Sequence, residues 1–152
     1  MKKLAIGLLL SFVLSAPALS QECTSKLQGF VNKTGYKIKV AKPCAVWAAT
    51  DALTIPRGEG ATGLLLIAQE GEMAIVGVVV ESKANLHLSS DLLLQLMKMN
   101  NELEFVKVGI DNDGDLFIRT ELHMPSLTEA DFKVAVKNVV AGSAQIYAIL
   151  KK

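Results

Sequence analysis

The order of elements read from the sequence predicts an α+β domain built on an antiparallel sheet: helix, three strands, helix, two strands, helix. Three observations carry the prediction. Apolar residues recur at helical spacing in three separate segments, near 22–34, 90–103 and 127–150. Two pairs of β-rich runs flank turn signals, Gln69-Glu70-Gly71-Glu72 and Asn112-Asp113-Gly114, and hairpins make antiparallel neighbours. The chain has 152 residues, 51% of them apolar and 20% charged, enough for one domain with a hydrophobic core and too apolar for a disordered segment.

The N-terminus reads as an address. Met1-Lys2-Lys3 precedes an apolar run from Leu4 to Leu14 and a small-residue ending, Ala18-Leu19-Ser20. These are the parts of a secretory signal peptide, with the cut expected before Gln21. The run falls short of the ~20 residues that a membrane-spanning helix needs. Residues 1–20 are therefore the expected signal peptide and residues 21–152 a single mature domain. No stable membrane insertion is expected after cleavage, and the lysine-rich start with a short apolar core points to the bacterial periplasm.

In that oxidising compartment Cys23 and Cys44 are expected to form a disulfide. The bridge would close a loop of about 22 residues, worth roughly 3 kcal/mol in the chain-entropy model. A redox pair would need the Cys-x-x-Cys spacing, which is absent. A metal site would need His87 and His123 to converge on both thiols.

The mature elements follow in order. Residues 22–34 place Cys23, Leu27, Phe30, Val31 and Thr34 on one helical face, and Gly35 is the expected left-handed cap. Tyr36 to Val40 alternates apolar and basic residues, the pattern of a half-buried strand whose lysines guard an edge. Lys42-Pro43 interrupts it, and Ala45 to Ala49 resumes extended structure. Residues 50–62, with one proline and two glycines, make a long connection. Leu64–Ala68 and Met73–Val80 form the first hairpin, apolar enough that both faces of the sheet are expected to be covered there.

Ser89 or Ser90 caps a helix running to about Leu103. Its apolar residues exceed the one stripe a core-facing helix needs. Leu93, Leu94, Met97 and Met99 are the candidate interaction face, either for a homodimer or for an adaptable partner groove. Burial between the sheet and the last helix is the alternative. Phe105–Asp111 and Leu116–His123 form the second hairpin, and Ser126-Leu127-Thr128-Glu129 reads as a capping box for the terminal helix. Phe132, Val136, Val139, Val140, Ser143, Ile146 and Leu150 line its core side.

Little here suggests chemistry. Asp111-Asn112-Asp113-Gly114-Asp115 is rich in oxygen ligands, but its glycine comes too early for a calcium loop and the twelfth position falls on Leu122. A hairpin turn is the plainer reading; a small-ligand or metal site in Asp111–Asp115 is the alternative. Glu81, His87, Glu121 and His123 would have to meet in one pocket to serve a hydrolase. No phosphate-binding glycine loop is present. With a net charge of +1 and 5% aromatic residues the chain lacks the basic excess of a nucleic-acid binder.

One stretch carries a resemblance. Leu96-x-x-x-Asn100-x-x-Leu103-x-Phe105-x-Lys107-x-Gly109-Ile110-Asp111 leads into Asp113-Gly114-Asp115-Leu116-x-x-Arg119-x-Glu121-Leu122 and a terminal amphipathic helix. This resembles the YbjN-like family of bacterial sensory transduction regulators, whose fold is like that of type III secretion chaperones. Asn100, Gly114-Asp115-Leu116 and Glu121-Leu122 carry it, and the first half of the chain matches in order and spacing only. The resemblance implies helices packed on one face of a curved antiparallel sheet, no catalytic residues and no cofactor. The expected function is a non-enzymatic periplasmic binding or chaperone-like module, acting on a protein partner or through a homodimer. An open sheet edge is one expected means of taking a partner strand.

Overall fold

The computed structural model describes residues 25–42, 46–49 and 64–150. Within them three helices and six strands alternate: α1 (Ser25–Asn32), β1 (Ile38–Lys42), β2 (Val46–Ala49), β3 (Leu64–Glu70), β4 (Met73–Glu81), α2 (Ser90–Glu102), β5 (Lys107–Ile110), β6 (Leu116–His123) and α3 (Glu129–Leu150). The strands form one antiparallel sheet in the order β1-β2-β3-β4-β6-β5. The predicted α+β class stands.

Four strands, not three, precede α2. The interrupted stretch after Tyr36 is two strands: Ile38 pairs with Ala49 and Lys42 with Val46, so the chain reverses between Lys42 and Val46. The first predicted hairpin is tighter than expected. Glu70 pairs with Met73, which leaves Gly71-Glu72 as the turn. Gly71 has φ +56°, the left-handed first position that a type II′ turn requires.

One sheet face carries Leu65 and Ile67, then Ala74, Val76, Val78 and Val80, then Leu116, Ile118 and Thr120, then Val106 and Val108. All are buried, beneath Leu27 and Val31 of α1, Leu96 and Met99 of α2, and Phe132, Val136, Val139 and Ile146 of α3. Phe30 and Phe132 bring α1 onto α3, with ring centroids 5.8 Å apart. Gly142 lets α3 settle closely on the sheet: a Cβ there would run into Ile118 Cδ1.

A bulge in β4 leaves Val80 as an extra residue between the pairs Val79–Phe117 and Glu81–Leu116. Its carbonyl is taken by the Tyr147 hydroxyl, which donates at 2.7 Å from the facing side of α3. Such a donor satisfies a buried backbone carbonyl.

Two helix starts sharpen the predictions. Ser89, rather than Ser90, caps α2, its Oγ accepting from Leu92 N at 3.1 Å. The capping box of α3 lies two residues later than predicted. Asp131 N donates to Thr128 Oγ1 at 3.1 Å while Thr128 N donates to Asp131 Oδ2 at 3.3 Å. Ser126 instead donates to the His123 carbonyl.

Candidate protein-interaction surfaces

α2 separates into two sides. Leu92, Leu96, Met99 and Leu103 recur at steps of four, three and four, and this stripe packs on the core. Leu93, Leu94 and Met97 lie on the opposite side, 47%, 52% and 63% exposed. Met99 must be taken off the predicted interaction face, because its helical position turns it inward and leaves it 5% exposed. The remaining three form an apolar cluster on a helix whose core-facing needs are already met. Shielding the exposed part of such side chains from water is worth roughly 1 kcal/mol each.

The two edges of the sheet differ. At the β5 edge the Asn100 side chain stands where a neighbouring strand would. Its Nδ2 donates to Val108 O at 2.9 Å, and its Oδ1 accepts from Val108 N at 2.7 Å. The amide thus imitates one step of a ladder and closes that edge. Asn100 was legible only as part of a family resemblance; a polar residue near the end of an apolar helix was the local signal.

Among the described residues the opposite edge strand, β1, pairs only with β2. Lys39 is exposed on it, and Tyr36 and Ile38 pack inward. Beside the start of β1 a cleft of ≈ 340 Å³ opens against α3, lined by Thr34, Tyr36, Lys133, Val136, Lys137, Val140 and Ala141. Glu129 sits close by and accepts from Lys133 at 2.7 Å and from Lys33 at 2.8 Å. These two ammonium groups, Lys133 foremost, lower its pKa to about 2.

Among the described residues, helices cover one face of the sheet and no element lies on the other. Leu66, Ala68, Ile75, Val79 and Phe117 line a shallow groove of ≈ 200 Å³ with Gly77 and Arg119. The Arg119 guanidinium lies 4.7 Å from the Phe117 ring centroid and pairs with Glu121 at 3.0 Å. Glu121 also takes Lys107, the larger cause of its lowered pKa.

The residues considered for chemistry do not converge. Glu81 and His87 line one cleft together with Asp91 and Gln95. Glu121 belongs to the other face of the sheet, and His123 lies 3.6 Å from Glu72. In the Asp111–Asp115 loop, Asp111 Oδ1 accepts from the backbone amides of Asp113 and Asp115, and Asp115 Oδ1 accepts from Lys83 N. These carboxylates build a turn with Gly114 at φ +90°. Among the described residues no three His, Cys, Asp or Glu side chains are gathered as a metal site would need. Cys23, Cys44 and residues 1–20 lie outside the described residues. No described helix is long and apolar enough to cross a membrane.

No protein-family profile and no curated protein sequence matches the chain. Solved structures do. A chain of the heterodimeric ExoU–SpcU complex from the type III secretion system of Pseudomonas aeruginosa is similar at 16% identity and a TM-score of 0.60, over 79% of this chain and 93% of that one. The Yersinia pestis type III secretion chaperone SycH, solved with a fragment of YscM2, gives 13% identity and 0.54 over 80% and 97%. YbjN from E. coli gives 15% identity and 0.56 over 80% and 85%. The fold is therefore that of the type III secretion chaperones and of YbjN.

Proposed function

We propose that this chain is a non-enzymatic, chaperone-like module of the YbjN-like kind that works by binding protein. The observation that carries the reading is the exposed apolar side of α2, Leu93, Leu94 and Met97, on a fold shared with proteins solved in complex with partners. We assign this side to self-association, because one exposed helix face repeated in a second copy is self-complementary across a two-fold axis. We further propose export to the periplasm and a Cys23–Cys44 disulfide. Lys2-Lys3, the apolar run after them and the Ala18-Leu19-Ser20 ending support export, and the even cysteine count supports the bridge.

Light scattering coupled to size exclusion tests the association. The wild type should run as a dimer and Met97→Lys as a monomer of unchanged circular dichroism. A wild type that is monomeric throughout would overturn the assignment of α2. Detection of the chain in cytoplasmic extract alone would overturn export.

A further inference from the structure

We infer that a cleft between β6 and α3, walled by Phe105, takes an arginine side chain of a partner protein. The inference rests on the protein-binding reading and adds to it one residue that the partner supplies.

The cleft measures ≈ 330 Å³. Leu122 and Ala135 line it together with Phe105 and Val134, which are 81% and 53% exposed, so its mouth is open to solvent. The fold alone gives no reason for the placing of Phe105. Its backbone stands at φ +60°, which disfavours any residue with a Cβ, and its ring is left in water. Both features are unfavourable in the free protein, and a partner that covers the ring would offset them.

The polar lining calls for a donor. Thr120 is 3% exposed, and its hydroxyl makes no hydrogen bond among the described residues. Asn138 gives its Nδ2 to the Glu104 carbonyl at 3.4 Å, which leaves Oδ1 as an acceptor. Asp131 uses Oδ2 for Thr128 and makes no ion pair among the described residues, so Oδ1 and a negative charge remain. Among those residues no lysine or arginine lines the cleft except as the partner of Glu121, which already answers Lys107 and Arg119.

An apolar wall beside several acceptors and an unpaired carboxylate fits a cation carried on an apolar stem. Arginine suits the place better than lysine. Its donors fan out to acceptors that lie apart, and its planar head can stack on the Phe105 ring. The chain holds its own Arg119 in this manner, over Phe117 at 4.7 Å and paired with Glu121 at 3.0 Å. The acidic lining sets the cleft against nucleic acid, whose phosphates require the opposite charge.

NMR titration of the isotope-labelled protein tests this with three capped tripeptides: Ala-Arg-Ala, Ala-Lys-Ala, and one with citrulline, the uncharged isostere of arginine, at the centre. The arginine peptide should shift the amide signals of Thr120, Val134 and Asn138, and the other two should bind about fivefold more weakly or less. Asp131→Asn keeps an acceptor for Thr128 but removes the charge, and should weaken the arginine peptide by about fivefold. Thr120→Val keeps the shape and removes the hydroxyl; it should weaken binding without lowering Tm. Phe105→Gly should abolish binding, again with no fall in Tm. Asp91→Asn, at the opposite end of α2, should leave binding unaltered. Equal binding of the arginine and lysine peptides, an unaffected Asp131→Asn, or the absence of shifts at the cleft would each overturn the inference. The two readings part cleanly. A monomeric wild type that prefers the arginine peptide refutes the α2 assignment alone. A dimer that binds none of the peptides refutes the cleft alone.

Discussion

The two faces of the sheet are made by alternate residues of the same strands, yet they have different fates. Along β4, Ala74, Val76, Val78 and Val80 are sealed beneath the helices, while Met73, Ile75, Gly77 and Val79 are half-buried on the other side. Hydrophobic content does not separate the two sets. What separates them is which set the helices cover. The face that no described element covers partly seals itself. Gly77 leaves room for the Arg119 stem, with a would-be Cβ 3.1 Å from Arg119 Cβ, and Gly109 lies against the Phe117 ring, 3.0 Å from its Cζ by the same construction. Two glycines thus let a neighbouring long side chain lie low over the sheet, and an antiparallel sheet keeps one face without a second layer of helices.

The largest test of this contrast is truncation on each face. Ile118→Ala on the covered face should cost about 2–5 kcal/mol, whereas Val79→Ala on the uncovered face should cost about 1 kcal/mol. Urea denaturation reads both, and equal losses would erase the distinction. Gly142→Ala probes how closely the covering helix sits; a cost of about 1–3 kcal/mol is expected because the new methyl meets Ile118, which is already fully buried. Tyr147→Phe leaves the Val80 carbonyl without that donor and should cost about 1–2 kcal/mol. The smallest effect lies at the rim, away from both faces. Glu129 titrates at about 2 against an ordinary 4.5, so its pairs with Lys133 and Lys33 stabilise the fold fully above pH 4.5, and that contribution fades as pH falls toward 2. Glu129→Gln should flatten that limb of the acid-stability curve; a parallel curve would show that the pairs contribute nothing.

The sequence carried most of the fold where periodicity was strong. The long amphipathic α3, the α2 cap at Ser89 and the hairpin at Gly114 could all be read from spacing and turn residues. It misled where one pattern served two geometries. Tyr36 to Val40 alternates and Ala45 to Ala49 resumes extended structure with no glycine turn between them, so a reversal there looked like an interrupted strand. Phe105 was read into a strand, but it sits before β5 at φ +60° and 81% exposed. Nothing local marks an aromatic residue for a left-handed position, which costs about 1–2 kcal/mol; Phe105→Gly should accordingly raise stability by about 1 kcal/mol in thermal unfolding. The exposed apolar side of α2 was legible for Leu93, Leu94 and Met97, because surplus apolar residues on a helix announce themselves. Met99 was misplaced because excess alone does not say which members face inward. The lysine cleft was not legible, since Tyr36 and Lys137 meet only through the packing of α3 beside β1.

The Asn100 clamp also bears on the order in which the chain assembles. Its two bonds join residues only eight apart in sequence, so the loop they close is short and the entropy lost in closing it is small. The Phe30–Phe132 contact joins opposite ends of the described chain, and making it requires closing a far longer loop. The stretch from α2 through β6 is therefore the natural nucleus, and the N-terminal half docks onto it. Folding kinetics of Asn100→Ala should show the loss in the folding rate, and those of Phe30→Ala in the unfolding rate.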